Sequence, residues 1–255
     1  KKHYLSIFFI FIFLCNFSIY ALQNHPIVII YETNAHQNIE NYSTLSALKK
    51  ELLQANNYVA LVSVGNFISE KSAFSSASNN TINLMNYIGY DAIALGEKDF
   101  NYDIFTLLEH VDLLNTSPVC CNFQKVDQTE SFFLPYNIVD YGNTKVAYIG
   151  VTTPNSTNTT YSNQSSNNKN EYNSYTFNTK NLYTIIQNSV DQAKKENANY
   201  VVLLTHLGTE NIFEQTSCQN IAQNTTNIDA ILDGHSSKAI KKLIIKNKNN
   251  IDVII

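Results

Sequence analysis

Apolar and polar positions alternate along this chain in two periods. Short runs such as Ile-Val-Ile-Ile-Tyr at 27–31, 58–64, 91–95, 118–121, 200–205 and 228–233 read as buried strands. Between them lie stretches with a helical period: 43–55, 81–88, 102–111, 182–196 and 211–223. In the first, Leu45, Leu48, Leu52 and Leu53 share one face; 182–196 is the clearest amphipathic helix. Runs at 133–139 and 145–151 flank Gly142-Asn143 and predict a hairpin. Strands alternating with helices predict an α/β domain whose sheet is buried between helices.

Two regions depart from this rhythm. From 153 to 178 the chain turns Asn/Ser/Thr-rich, with too little apolar surface to bury, and predicts an exposed loop, most polar over about 154–178. At the C-terminus, 239–246 and 251–255 read as strands of an unfinished sheet, which predicts a domain truncated there. No internal repeat is present.

Residues 1–21 form an address. Lys1 and Lys2 precede an apolar run too short to span a bilayer comfortably, and Ala21 offers a cleavage point. The reading is a signal peptide at 1–21, a domain over 22–255, and a secreted, periplasmic or cell-surface location; a retained anchor is the alternative. No transmembrane segment beyond the signal is expected.

Composition narrows the partners. The chain has 255 residues, 44% hydrophobic and 15% charged, with net charge −4. Its basic residues are all Lys, in no stripe, so a nucleic-acid polymer is not an expected partner. The four Cys have no metal-binding spacing. Adjacent Cys120 and Cys121 should point to opposite faces of a buried strand and serve packing.

The candidate chemistry sits where strands end. Thr205-His206-Leu207-Gly208 and Asp233-Gly234-His235-Ser236-Ser237 each put an imidazole at a strand tip. Asn34-Ala35-His36, Gly65-Asn66 and Gly96-Glu97-Lys98-Asp99-Phe100-Asn101 supply three more tips. Ligand sites in open α/β sheets gather at such carboxyl ends. The plain readings stand beside this one. Glu97 and Asp99 could be solvated loop carboxylates, Lys98 a surface lysine, and His25 and His110 surface residues. Gly65, Gly96, Gly208 and Gly234 could serve tight turns.

From about Ile27 onward the chain resembles the metallophosphatase domain of secreted 5′-nucleotidases, within the calcineurin-like metallophosphoesterases. The likeness is carried, in order, by NLMNYIGYDAIALGEKDFN at 83–101, KVAYIGVTTP at 145–154, VVLLTHLG at 201–208 and IDAILDGHSS at 228–237. It implies a four-layer α/β/β/α sandwich with two divalent metals at one end of its sheets. It also implies a separate C-terminal nucleoside-binding domain, which is expected to be absent from this chain.

The resemblance further implies a ligand set that this chain only partly keeps. The family's bridging carboxylate corresponds to Asn66, the first Asp to Asn34, and the last imidazole to Ser237; His36 is retained. Neutral amides cannot offset the repulsion of two adjacent dications, so a two-metal centre is not expected. Glu97, His206 and His235, with Asn66, would hold one divalent metal, Zn or Mn. The family's catalytic His and its orienting Asp correspond to Lys98 and Asn101, which leaves them without that function. The expected ligand is a small phosphate ester or nucleotide, with hydrolysis weak or absent. A weak one-metal phosphomonoesterase and a non-catalytic binding relative are the alternatives.

Overall fold

The computed structural model describes residues 26–34, 40–55, 57–68, 76–101, 104–152, 160–162, 174–208, 217–235 and 242–255. The expected signal peptide, His25, His36 and Ser237 lie outside the described residues. Among those described, no helix is long and apolar enough to cross a membrane.

Strands β1 (Ile27–Glu32), β2 (Tyr58–Ser63) and β3 (Ala92–Ile93) form a parallel sheet in that order. Helices α1 (Glu40–Gln54), α2 (Ser76–Ile88) and α3 (Ile104–Asp112) follow those strands. After β4 (Phe123–Lys125), β5 (Tyr136–Tyr141) and β6 (Thr144–Thr152) make the expected hairpin around Gly142-Asn143. Next come β7 (Thr160–Ser162), β8 (Ser174–Phe177), α4 (Leu182–Lys195), β9 (Tyr200–His206), α5 (Cys218–Asn224), β10 (Ala230–Asp233), β11 (Ile244–Lys246) and β12 (Asp252–Ile254). A six-stranded sheet runs β11-β12-β10-β9-β6-β5. Its β6, β9, β10 and β12 are parallel.

Strand alternation sorts side chains into three cores. In β2, Val59 and Leu61 join the core shared with α1, α2 and α3, whereas Ala60 and Val62 join the core between the two sheets. In β9, Val202 and Leu204 face that same inner core, while Val201 and Leu203 join Ile186 and Val190 of α4. The layers are therefore helix, sheet, sheet, helix, as the resemblance implied. Small Ala60, Ala92 and Ala94 share the inner core with the bulky Tyr148, whose hydroxyl meets that of Tyr141 at 3.1 Å. Burial pushes both phenols up.

Two expectations change. The run 118–121 is no strand. Its Val119 forms isolated bridges to Ala94 on one side and Leu134 on the other. Its backbone passes between the sheets, with Val119 N–H donating to Ile93 and Cys121 N–H to Gly150. Cys120 and Cys121 nonetheless enter different cores, as their adjacency requires. Second, the Asn/Ser/Thr-rich stretch contains β7 and β8, which form a third sheet in the order β4-β8-β7. Tyr175 and Phe177 anchor it, the first stacked on Phe123 and the second tilted against it in an aromatic cluster.

Candidate metal centre

Five strand ends converge. Asn34 follows β1, Asn66 follows β2, Glu97 opens the 3-10 turn Glu97–Phe100 after β3, His206 ends β9, and His235 follows β10. Asn34 and Asn66 have left-handed backbones, φ 56° and 61°, which Asn tolerates better than most residues. The turn at Gly65 (φ 104°) lies so close to Gly96 that a Cβ on Gly65 would strike the Gly96 backbone. A Cβ on Gly96 would strike the Asn66 amide. That contact fixes Asn66 beside Glu97.

Asp99 ties these turns together from below. Fully buried, it accepts the backbone N–H groups of Asn66 and Gly96 at 2.8 Å and of Ile68 at 2.9 Å. Burial pushes its carboxyl up, and the three N–H groups pull it back. Asp233 does the same for the His206 loop. Its Oδ1 accepts from Thr205 Oγ1 at 2.9 Å, Leu207 N at 3.0 Å and Gly208 N at 3.1 Å.

At the centre Glu97 is buried, with Oε2 2.7 Å from His206 Nε2 and 3.2 Å from His235 Nδ1. One ligand atom from each of the three lies within 4.8 Å of the others. Burial alone would raise the Glu97 carboxyl, but the two imidazoles outweigh it and hold it well below the usual carboxylate range. His235 is held above the usual imidazole range, first by its hydrogen bond to Glu97. The His235 side chain is 28% exposed and His206 only 1%, so solvent reaches the cluster from the His235 side.

The proton inventory tests whether these residues fit a cation. His206 Nδ1 lies 2.8 Å from the Val64 carbonyl, which can only accept, so Nδ1 carries a proton. Nε2 then faces Glu97 Oε2 at 2.7 Å and Asn66 Nδ2 at 2.9 Å. A bare Nε2 repels the carboxylate; a protonated Nε2 repels the amide N–H. No assignment satisfies both; a proton on Nε2 or a cation held by Nε2 and Oε2 satisfies the closer contact. A histidine ligand whose second nitrogen donates to a backbone carbonyl is the usual orientation in metal sites. The donor set of Glu97, His206 and His235 fits a divalent ion.

Lys98 and Asn101 lie on the same 3-10 turn and its end. The Lys98 backbone N–H donates to Asn66 Oδ1 at 2.9 Å, and Asn101 N–H donates to the Lys98 carbonyl at 3.1 Å. The Lys98 charge lowers the His235 pKa, as the smallest of several influences. Glu97 and Asp99 are not solvated loop carboxylates, because the turn folds them inward against imidazoles and backbone N–H groups. His110 is also buried, not at the surface; its Nδ1 lies 2.7 Å from the Thr106 carbonyl one helical turn back. Sequence reasoning missed Asp99 and Asp233 as organisers. The one available signal was an aspartate near the glycine of each of these two tips, three residues after Gly96 and directly before Gly234.

No protein-family model matches the chain. It is similar to a 2′,3′-cyclic-nucleotide 2′-phosphodiesterase/3′-nucleotidase of Haemophilus influenzae, 27% identical over 69% of this chain and 27% of the relative. It is also similar to a 5′-nucleotidase of Rattus norvegicus, 27% identical over 60% of this chain and 24% of the relative. The chain thus spans about a quarter of the length of these curated relatives. Among solved structures, a 5′-nucleotidase precursor of Thermus thermophilus matches with TM-score 0.67 at 19% identity, covering 89% of this chain and 47% of that one. A calcineurin-like phosphoesterase of Bacillus subtilis matches with TM-score 0.64 at 21% identity, covering 89% and 79%. The structural likenesses are likenesses of fold.

Proposed function

We propose that this chain, a relative of the metallophosphatase domain of the 5′-nucleotidase family, binds one divalent cation through Glu97, His206 and His235 and presents it to a phosphate ester. The observation that carries this is the convergence of those three ligand atoms within 4.8 Å. A cation there would supply a Lewis acid for a phosphoryl oxygen. The chain's own residues orient the ligands: Val64 fixes the His206 tautomer, and Asp99 and Asp233 hold the loops.

Hydrolysis is read as weak or absent. Lys98 and Asn101 stand where the resemblance implies a His–Asp pair, and neither a lysine nor an amide does the proton-exchange work of an imidazole oriented by a carboxylate. A small phosphate ester or nucleotide is the substrate class this reading implies, at a secreted or surface location.

Purified protein should be loaded with Zn²⁺ or Mn²⁺ and assayed with AMP and an aryl phosphate. Equimolar metal uptake that disappears in His206→Ala, with turnover slow or undetectable, is the expected result. Absence of metal uptake would sink the proposal, and brisk turnover would sink its weak-hydrolysis part.

A further inference from the structure

The orientation of one side chain decides how many cations this site takes. Asn66 Oδ1 accepts the backbone N–H of Lys98 at 2.9 Å. A backbone N–H can only donate, so the amide cannot be turned over without breaking that bond. Its Nδ2 therefore faces the cluster, 2.9 Å from Asn34 Oδ1, 2.9 Å from His206 Nε2 and 3.5 Å from Glu97 Oε1. The residue is buried, and Gly96 closes in behind it.

We infer that Asn66 is a fixed hydrogen-bond donor toward the cluster, not a metal ligand, and that it makes the site mononuclear. Its N–H groups stand where a second cation would need an anionic bridge. They hold Asn34 and the cluster together by hydrogen bonds in place of that ion. One of them also competes with the bound metal for the lone pair of His206 Nε2. The inference rests on the one-metal reading above and deepens it by assigning the polarity of a neighbouring residue.

The test compares the wild type with Asn66→Gly and Asn66→Asp. Glycine removes the amide and keeps the left-handed backbone of φ 61° without strain. Aspartate can still accept the Lys98 N–H and turns an anionic oxygen toward the cluster. Calorimetric titration with Zn²⁺ alone should give one ion per chain in the wild type. Affinity should be unchanged or tighter in Asn66→Gly, and at least tenfold tighter in Asn66→Asp. A tenfold or greater loss in Asn66→Gly would show an oxygen ligand and overturn the inference, as would two ions per wild-type chain.

A metal-free arm separates this inference from the metal reading. Nuclear magnetic resonance of the wild type in EDTA should show contacts between the Asn66 side-chain NH₂ and the His206 ring, with His206 protonated at Nδ1. Those contacts without zinc uptake would sink the metal reading and leave the Asn66 assignment standing. Their absence would overturn the assignment whatever the zinc titration shows. If Asn66→Gly does not fold, Asn66→Asp and this arm decide.

Discussion

Glu97 Oε2 stands 2.7 Å from His206 Nε2, while the other nitrogen of His206 is committed to the Val64 carbonyl at 2.8 Å. The pair is thus an acceptor facing an acceptor unless a proton or a metal lies between them. Glu97→Gln keeps the shape and removes the charge. Zinc affinity measured by calorimetry should fall by roughly 100-fold or more, since even outer residues of metal sites cost 10–100-fold when altered. Unchanged affinity would mean that Glu97 is not a ligand.

The same cluster sets a pH dependence in the metal-free protein. His235 has its folded pKa raised by Glu97. Its contribution to stability is complete below the unfolded value of about 6.5 and is lost as pH rises through the folded value. Glu97 has its folded pKa depressed, so its contribution is present above about 4.5 and fades as pH falls through the folded value. Urea midpoints in EDTA should peak in the mildly acidic window between those limits. His235→Gln should flatten the alkaline side. Zinc affinity should rise from pH 6 to 8, because the metal must displace the His235 proton.

Much of the layer order was legible because strand and helix periods are local. Leu203 and Leu204 alternate between cores just as their neighbours in sequence demand. Glu97, His206 and His235 were legible as candidates because each follows a buried apolar run. The role of Asp99 was not. Its partner Ile68 N–H is 31 residues away, and only the approach of the Gly65 and Gly96 turns brings them together. The pairing of β8 in the Asn-rich stretch was equally invisible, because its apolar content is two aromatic residues whose partner, Phe123, lies far upstream.

Asp99 should be the costliest polar residue of the site to remove. Asp99→Ala leaves three buried N–H groups without an acceptor, at a cost of about 3 kcal/mol or more. Asp99→Asn should cost less, because one oxygen remains, though its NH₂ would oppose at least one donor. Urea denaturation gives both values. Zinc affinity should fall in parallel, because Asn66 and Glu97 lose their common anchor. A change below 1 kcal/mol for Asp99→Ala would show that water replaces the carboxylate without loss.

The last prediction concerns what limits chemistry. Lys98 and Asn101 lie one 3-10 turn apart, joined by the Asn101 N–H to Lys98 carbonyl bond at 3.1 Å. Neither side chain is needed for the backbone contacts that hold Asn66 and the turn. The double substitution Lys98→His with Asn101→Asp should therefore fold as the parent does. It would install an imidazole able to exchange protons near pH 7, oriented by a carboxylate, beside the proposed cation. General acid–base assistance of this kind is worth about 10²–10⁴-fold. Zinc- or manganese-dependent hydrolysis of an aryl phosphate should rise by about 100-fold over the parent. A rise would locate the parent's deficit in proton transfer. No change, with zinc still bound one to one, would locate it in the single cation, because one metal cannot stabilise both attacking and leaving oxygens.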